Sequence, residues 1–293
     1  MISRRTLLQA GLPAIGGIAI GRRFCFAATA AWRTFRTQCE HLENESGGRL
    51  GVAMQNTANG TQIGYRQSER FPMCSTSKLL TVGAVLARVD HGKERLERIV
   101  HFTKSDLVTY SPTTEKRVGS GMTIEELCAA AMTLSDNTAA NLLLATIGGP
   151  QGFTRFARTL GDKVTRLDRT EPTLNEALPG DPRDTSSPFA MVNDLRALAL
   201  GDRLSEGSKA RLTRWLIECR TGGNRLRAGV PRDWKVGDKT GSGDNGTAND
   251  LAILWPPHRA PVLVGVYLTG ATVESDARER TIEAVGKMVP SLL

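Results

Sequence analysis

Phe71-Pro72-Met73-Cys74-Ser75-Thr76-Ser77-Lys78 runs without a break into the apolar segment Leu79 to Val89. If that segment is a helix, Ser75 and Lys78 stand three residues apart on one face of its first turn, an amine beside a hydroxyl. A serine hydroxyl is a weak nucleophile until a neighbouring base takes its proton. The N–H groups at a helix start can then stabilise the charge that forms when a carbonyl is attacked. The pattern is not rare: at Ser and Lys frequencies of roughly 6–7% each, Ser-x-x-Lys arises about once by chance in a chain of this length. Its weight depends on what else converges on it.

On the N-terminal side, Trp32, Phe35, Cys39 and Leu42 recur at helical spacing, and Gly47-Gly48 closes the helix. Leu50 to Gln55 and Gln62 to Tyr65 alternate as strands around the turn Ala58-Asn59-Gly60, a hairpin. Beyond the Ser75 segment the pattern stays helical to about Cys219. Thr123-Ile124-Glu125-Glu126 is a capping box opening Leu127 to Leu134. Thr138 to Thr146, Phe153 to Leu160, a helix started by Ser187-Pro188, and Leu204 to Cys219 follow. Strands return at Lys235 to Thr240, Leu251 to Trp255 and Val262 to Thr269, and a last helix carries Ile282, Val285, Val289 and Leu292 on one stripe. Strands at both ends with helices between them predict an α/β protein of the α+β kind. The chain ends (31–70 and 220–293) build one antiparallel sheet flanked by the terminal helices, 71–219 form an all-helical inserted lobe, and a site lies in the cleft between the lobes.

A hydrophobic content of 40% and a charged content of 23% are those of an ordinary globular protein. Ser3-Arg4-Arg5-Thr6-Leu7-Leu8, a weakly apolar stretch from Ala10 to Ile20 and the small-x-small site Ala28-Thr29-Ala30 read as a twin-arginine export signal over residues 1–30. The protein is therefore expected to be periplasmic or secreted, a monomer with no membrane association once the signal is removed. Loss of the signal takes away Arg4, Arg5, Arg22 and Arg23 and halves the net charge of +8. With 5% aromatics and no basic stripe, nucleic acid is not an expected partner. His41, His91, His101 and His258 form no ligand motif, and the cysteines show no Cys-x-x-Cys spacing, so neither a metal nor another cofactor is expected.

Two further elements give the opening pair its meaning. Ser135-Asp136-Asn137 falls between two helices, where it can present a hydroxyl and an amide to a cleft, and Lys239-Thr240-Gly241 ends a strand with Ser242 and Gly243 after it. Ser-x-x-Lys, Ser-Asp-Asn and Lys-Thr-Gly in that order resemble the motif set of class A serine β-lactamases and penicillin-binding proteins. Glu171-Pro172-Thr173-Leu174-Asn175 and Gly180-Asp181-Pro182-Arg183-Asp184-Thr185 extend the likeness to the class A β-lactamases across nearly the whole mature chain. The resemblance implies a Ser75 nucleophile, with the N–H groups of Ser75 and Ser242 as oxyanion donors, and Lys78, Glu171 acting through a water, or both as acceptors of the serine proton. It further implies Ser135 as the proton donor to the leaving nitrogen, and Glu171 with Asn175 as the pair that activates water against the ester. Asn137 would bind the substrate's side-chain amide. Lys239, Thr240, Ser242 and Arg225 would bind its carboxylate, and Tyr110 would wall the entrance.

The stretch 166–184 has neither period, and in this family it forms an Ω-loop whose neck Arg169 and Asp184 would close and whose Glu171-Pro172 bond is often cis. Some relatives carry a disulfide from the cysteine before the nucleophile, and others one from the position of Cys128. Here the partner positions are Gly243 and Val82, so four free thiols are expected at Cys39, Cys74, Cys128 and Cys219. The expected activity is hydrolysis of penicillins and cephalosporins through a Ser75 acyl-enzyme, giving antibiotic resistance, with serine-directed inhibitors as further small-molecule partners. A D-alanyl-D-alanine peptidase or a non-hydrolysing β-lactam sensor domain would share the nucleophile. Glu171 and Asn175 argue against the first, and the absence of a membrane-spanning transducer argues against the second.

Overall fold

The computed structural model describes residues 18–293, with side chains described from 31 onward. The expected export segment lies outside the described residues except for the backbone of 18–30. That backbone belongs to helix α1 (Ile18–Ser46), which starts well before the helix read from the apolar stripe. The strands β1 (Arg49–Asn56), β2 (Gln62–Tyr65) and β3 (Phe71–Pro72) lead to a 3-10 turn at Cys74–Ser77 and to α2 (Lys78–Asp90). Then come β4 (Ile99–Val100), β5 (Met122–Thr123), α3 (Ile124–Thr133), α4 (Asn137–Thr146), α5 (Gly149–Thr159), β6 (Thr185–Ser186), α6 (Pro188–Ala199), α7 (Glu206–Ile217) and α8 (Leu226–Gly229). The chain closes with β7 (Lys235–Gly243), β8 (Thr247–Trp255), β9 (Val262–Thr269) and α9 (Ser275–Met288). Among the described residues no helix is long and apolar enough to cross a membrane.

The main sheet is antiparallel in the order β2-β1-β9-β8-β7, so the first and last parts of the chain meet where β1 pairs with β9 from Arg49↔Thr269 to Asn56↔Val262. Strand alternation sorts β9 onto two cores. Val262, Val264, Val266 and Leu268 pack with Phe35, Cys39, Ile282 and Val285 of the terminal helices. Leu263 and Tyr267 join the helical block with Leu79, Val82, Leu195 and Trp215. A strand buried on both sides reads as a continuous apolar run, which is why β9 was legible to the residue. Gly265 fits the close approach of α6, since a Cβ there would lie 3.1 Å from Val192 Cγ2.

The capping box opens α3 as expected, Thr123 Oγ1 accepting from Glu126 N and Thr123 N donating to the Glu126 carboxylate. Ser187 caps α6 by accepting from Ala190 N. Three readings change. Trp32 is 40% exposed and drops out of the α1 stripe, whose Phe35 and Cys39 stay buried. The segment taken as wholly helical contains two short ladders, β4 with β5 and β3 with β6, too brief to show a period. And Ser75 sits in the 3-10 turn ahead of α2, not in α2 itself.

One buried acid departs from the ordinary core. Asp194 of α6 is 1% exposed, and no N–H or hydroxyl donor reaches its Oδ2. Burial, and then the charge of neighbouring Asp162, push it up to about 9, while Arg158 pulls the other way. Asp162 itself accepts from Val164 N and Thr165 N, so a protonated Asp194 gains an acceptor by donating to it. The folded protein thus holds a proton that the unfolded chain, with its ordinary carboxyl near 3.8, releases. Stability therefore falls as pH rises through that window, by about 1.4 kcal/mol per unit for one proton, and Asp250, raised to about 8, adds to the slope. Asp194→Asn keeps the shape without the proton. Its urea-unfolding free energy is expected to gain on the wild type steadily from pH 5 to pH 8.5, and a difference independent of pH would show that Asp194 carries no such proton.

Candidate functional site

The 3-10 turn at Cys74–Ser77 decides how nucleophile and amine meet. Residues i and i+3 eclipse in a 3-10 turn, so Ser75 and Lys78 come into register more closely than on an α-helix. Lys78 Nζ lies 2.6 Å from Ser75 Oγ. It also reaches Glu171 Oε1 at 2.6 Å, Asn137 Oδ1 at 2.7 Å, Ser135 O at 3.2 Å and Ser135 Oγ at 3.4 Å. Three N–H donors serve five acceptors, so the arrangement is a switching point for hydrogen bonds as well as an ion pair. Ser75 Oγ stands 3.5 Å from Glu171 Oε1. All of these residues are buried.

Each partner is held by polar groups bonded to backbone. Asp136 caps α4 by accepting from Ala139 N, and its carboxylate also takes Thr113 N, Thr114 N and Thr114 Oγ1, each at 2.9 Å. That one buried acid fixes Ser135 on one side, in a left-handed conformation at φ +61°, and the 109–114 segment on the other. Asn137 divides its amide, Oδ1 to Lys78 and Nδ2 to Thr109 O at 2.8 Å, while its N–H donates to Tyr110 O at 3.0 Å. Tyr110 stands on the rim with its backbone pinned and its side chain 55% exposed.

Glu171 arrives on the loop 166–184. Buried Asp184 closes the neck, accepting from Asp168 N at 2.7 Å, Arg169 N at 2.9 Å and Arg169 Nε at 2.6 Å. Arg169 also pairs with Glu176, so the expected ion pair is half of a network and not a solvated contact. The Glu171-Pro172 bond is cis. Asn175 Nδ2 donates to Glu171 Oε2 at 2.5 Å, which leaves Oε1 to Lys78. Asn141, which the sequence reading passed over, grips the Glu171 backbone twice, accepting from its N–H and donating to its C=O, both at 2.9 Å. Its signal was available: it lies four residues after Asn137, hence one turn along the same face of α4.

The third wall is β7. Lys239 is fully buried and donates to Ser135 Oγ at 3.0 Å and Thr240 O at 2.9 Å. Further along the strand, Thr240 Oγ1 meets Thr221 Oγ1 at 2.5 Å and Ser242 Oγ accepts from Arg225 Nη2 at 2.8 Å. Arg225 is 6% exposed and gives Nη1 to Gly241 O and Asn249 O, so its guanidinium braces the strand end beside Ser242. Gly241 allows β7 to pass the nucleophile turn, since a Cβ there would sit 2.8 Å from Met73 O. Asn249, also missed, ties Pro72 O and Met73 O to β8. A Cβ on Gly243 would lie 2.7 Å from Cys74 Sγ, so those two positions do face one another, and the four cysteines are buried and free.

The structure thus joins Ser75, Lys78, Ser135, Asn137, Glu171, Asn175 and Lys239 in one hydrogen-bonded web, with Thr240, Ser242 and Arg225 at the strand end and Tyr110 on the rim. A nucleophile, two buried ammonium groups and a carboxylate form the equipment of acyl transfer. A sequence profile of the β-lactamase enzyme family matches residues 34–292. The β-lactamase CTX-M-97 of Escherichia coli is 52% identical over 252 residues, 86% of this chain and 87% of that protein. The β-lactamase OXY-2 of Klebsiella oxytoca is 51% identical over 248 residues, 85% and 86% of the two chains. The solved class A β-lactamase of the last common ancestor of Gram-negative bacteria superposes with a TM-score of 0.87 at 60% identity, over 88% of this chain and 98% of that one. The chain belongs to the β-lactamase enzyme family, in its class A branch.

Burial, with the Lys78 charge adding to it, brings Lys239 down to about 8 against the pull of Cys219 and Asp238. The free enzyme therefore loses this positive charge as pH rises through about 8. For a substrate bearing a carboxylate, kcat/KM is expected to fall on an alkaline limb near pH 8, and Lys239→Arg, which keeps its charge, should move that limb upward. A wild-type profile flat to pH 10 would contradict it.

Proposed function

We propose that the protein hydrolyses the amide of penicillins and cephalosporins through an ester on Ser75, and so confers resistance to them. The observation that carries this reading is Glu171, held with one oxygen on Lys78 and the other on Asn175 while 3.5 Å from Ser75 Oγ. A carboxylate so placed can direct a water onto an ester at Ser75, the step that separates hydrolysis from acylation alone. Family membership supports the activity, and the individual roles rest on geometry.

In acylation, Ser75 Oγ attacks the lactam carbonyl, with the N–H groups of Ser75 and Ser242 stabilising the oxyanion. An ammonium cannot accept a proton, so Lys78 serves as base only after passing one to Glu171, 2.6 Å away. The alternative is Glu171 acting through a water. Both routes leave Glu171 protonated, the serine proton resting on Lys78 in the first and passing through the water in the second. Ser135, within reach of Lys78 and Lys239, returns a proton to the departing nitrogen. Lys239, Thr240 and Ser242 receive the substrate carboxylate, Arg225 braces Ser242, Asn137 meets the side-chain amide and Tyr110 borders the entrance. In deacylation, Glu171 with Asn175 directs a water onto the ester.

We infer a division into two lobes (31–70 with 220–293, against 71–219), with these groups between a sheet and a helical block. We further infer export through the twin-arginine signal at 1–30, to the periplasm or beyond, and action as a monomer on small molecules. A chromogenic cephalosporin tests the chemistry. The wild type should turn over steadily. Glu171→Ala should stop after about one equivalent as a covalent adduct visible by mass, with deacylation slowed roughly 10²–10⁴-fold, and Ser75→Ala should give no adduct. A wild type that itself stops after one equivalent would identify a sensor or slow peptidase instead.

A further inference from the structure

The turn between β7 and β8, Asp244-Asn245-Gly246, looks at first like a simple chain reversal. Thr247 N donates to Asp244 O at 3.2 Å, and the two central residues have positive φ, +50° for Asn245 and +64° for Gly246, the pairing a tight hairpin favours. The turn is also anchored and reaching. Gly270 N, just past β9, donates to Asn245 O at 2.7 Å, and a Cβ on Gly246 would sit 2.0 Å from Ala271 O, so the sheet holds the turn closely. From this fixed point two bonds leave for the loop that carries Glu171. Asp244 N donates to Asn175 O at 2.9 Å, and Asn245 Nδ2 donates to Glu176 O at 2.8 Å.

Those carbonyls belong to the residue that holds Glu171 by its side chain and to the one after it. Further along, the loop lacks packed support. A cavity of about 640 Å³ lies between Ala177–Pro182 and the strand ends near Thr269, with Asn245 in its wall. Where side chains do not fill the space beneath a loop, polar bonds at its margin set its position. Asn245 suits this place twice over, since it tolerates positive φ and carries an amide donor.

We propose that Asn245 is a positioning residue for deacylation: its side chain straps the loop at Glu176 to the β7–β8 turn and so sets Asn175 and Glu171 for the water that attacks the ester. This rests on the acyl-enzyme reading above. Acylation uses Glu171 only as a proton acceptor beside Lys78, whereas deacylation needs Glu171 and Asn175 together to aim a water, so the second half of the cycle depends on the strap the more strongly.

Asn245→Gly removes the amide while keeping the turn unstrained, and Asn245→Asp keeps size and turn preference but sets a carboxylate against the Glu176 carbonyl. When deacylation alone slows, kcat and KM fall together and kcat/KM stays constant. Both variants are expected to lose about three- to tenfold in kcat on a rapidly acylating penicillin, the scale of one hydrogen bond. KM should drop in parallel, and acyl-enzyme should accumulate in quenched mass spectra. An unchanged kcat in both variants, or a loss confined to kcat/KM, would overturn the strap. A wild type with no acyl-enzyme turnover would instead overturn the underlying reading.

Discussion

Lys78 and Glu171 face each other at 2.6 Å with side chains 1% and 2% exposed, and most of the site follows from the need to keep that pair where it is. A buried ion pair loses hydration that its own attraction does not fully replace, so it is tolerable only if the remaining lone pairs and protons are matched. Here the matching is near complete. Ser75, Asn137 and Ser135 take the other lysine protons, and Asn175 takes the second glutamate oxygen. Removal of either charged partner would leave the other as an uncompensated buried charge, which turns groups that could be judged separately into a single device.

The fold delivers these groups with backbone bent out of its ordinary wells. Cys74 before the nucleophile, Ser135, Tyr110 and Asp184 all have positive φ without being glycine. Such conformations persist only where neighbours over-determine them. The neighbours are amides and acids whose bonds go to backbone: buried Asp136 to the 113–114 segment, buried Asp184 to the loop neck, buried Asn249 to Pro72 and Met73, and half-buried Asn141 to Glu171. None of them needs to touch a substrate. Together they hold the reacting groups from the helical block, the loop and the sheet within hydrogen-bonding distance.

Legibility in the sequence followed the same division. Elements fixed by hydrophobic period or by a local cap were readable, as with β9, the α3 capping box and Ser187 ahead of α6. Residues with reactive side chains in known company were readable as well, Ser75, Lys78, Glu171 and Lys239 among them. Asn249 was not, because an asparagine that bonds distant backbone looks the same in sequence as one on a surface, and Asn141 offered only its spacing from Asn137. Trp32 was misplaced because the stripe gives the face of a helix and says nothing of how far along that face the packing runs. The two short ladders were invisible for want of length, yet β3 with β6 brings the entry to Ser75 against the exit of the Glu171 loop. Arg225 was seen as a partner for substrate, and its burial against Gly241 and Asn249 was legible only in three dimensions.

The two halves of the catalytic cycle rest on structures of different stiffness. In the proposed cycle, the groups that acylation uses besides Glu171, namely Ser75, Lys78, Ser135 and Lys239, stand on helix starts and on the edge strand β7, buried against the core, so most of the geometry for acylation is set by the same contacts that fold the protein. Glu171 stands on a loop held by an acid at its neck, by Asn141 beneath it and by the β7–β8 turn beside it. The loop bonds are individually modest, and the cavity under 177–182 shows how little packing backs them. On the proposed mechanism, forming the ester therefore rests mainly on the fold, and releasing it rests in addition on a few polar bonds. Changes at the loop margin can alter release without disturbing the core, and in a protein whose benefit comes from turnover that margin is where small substitutions have the most effect.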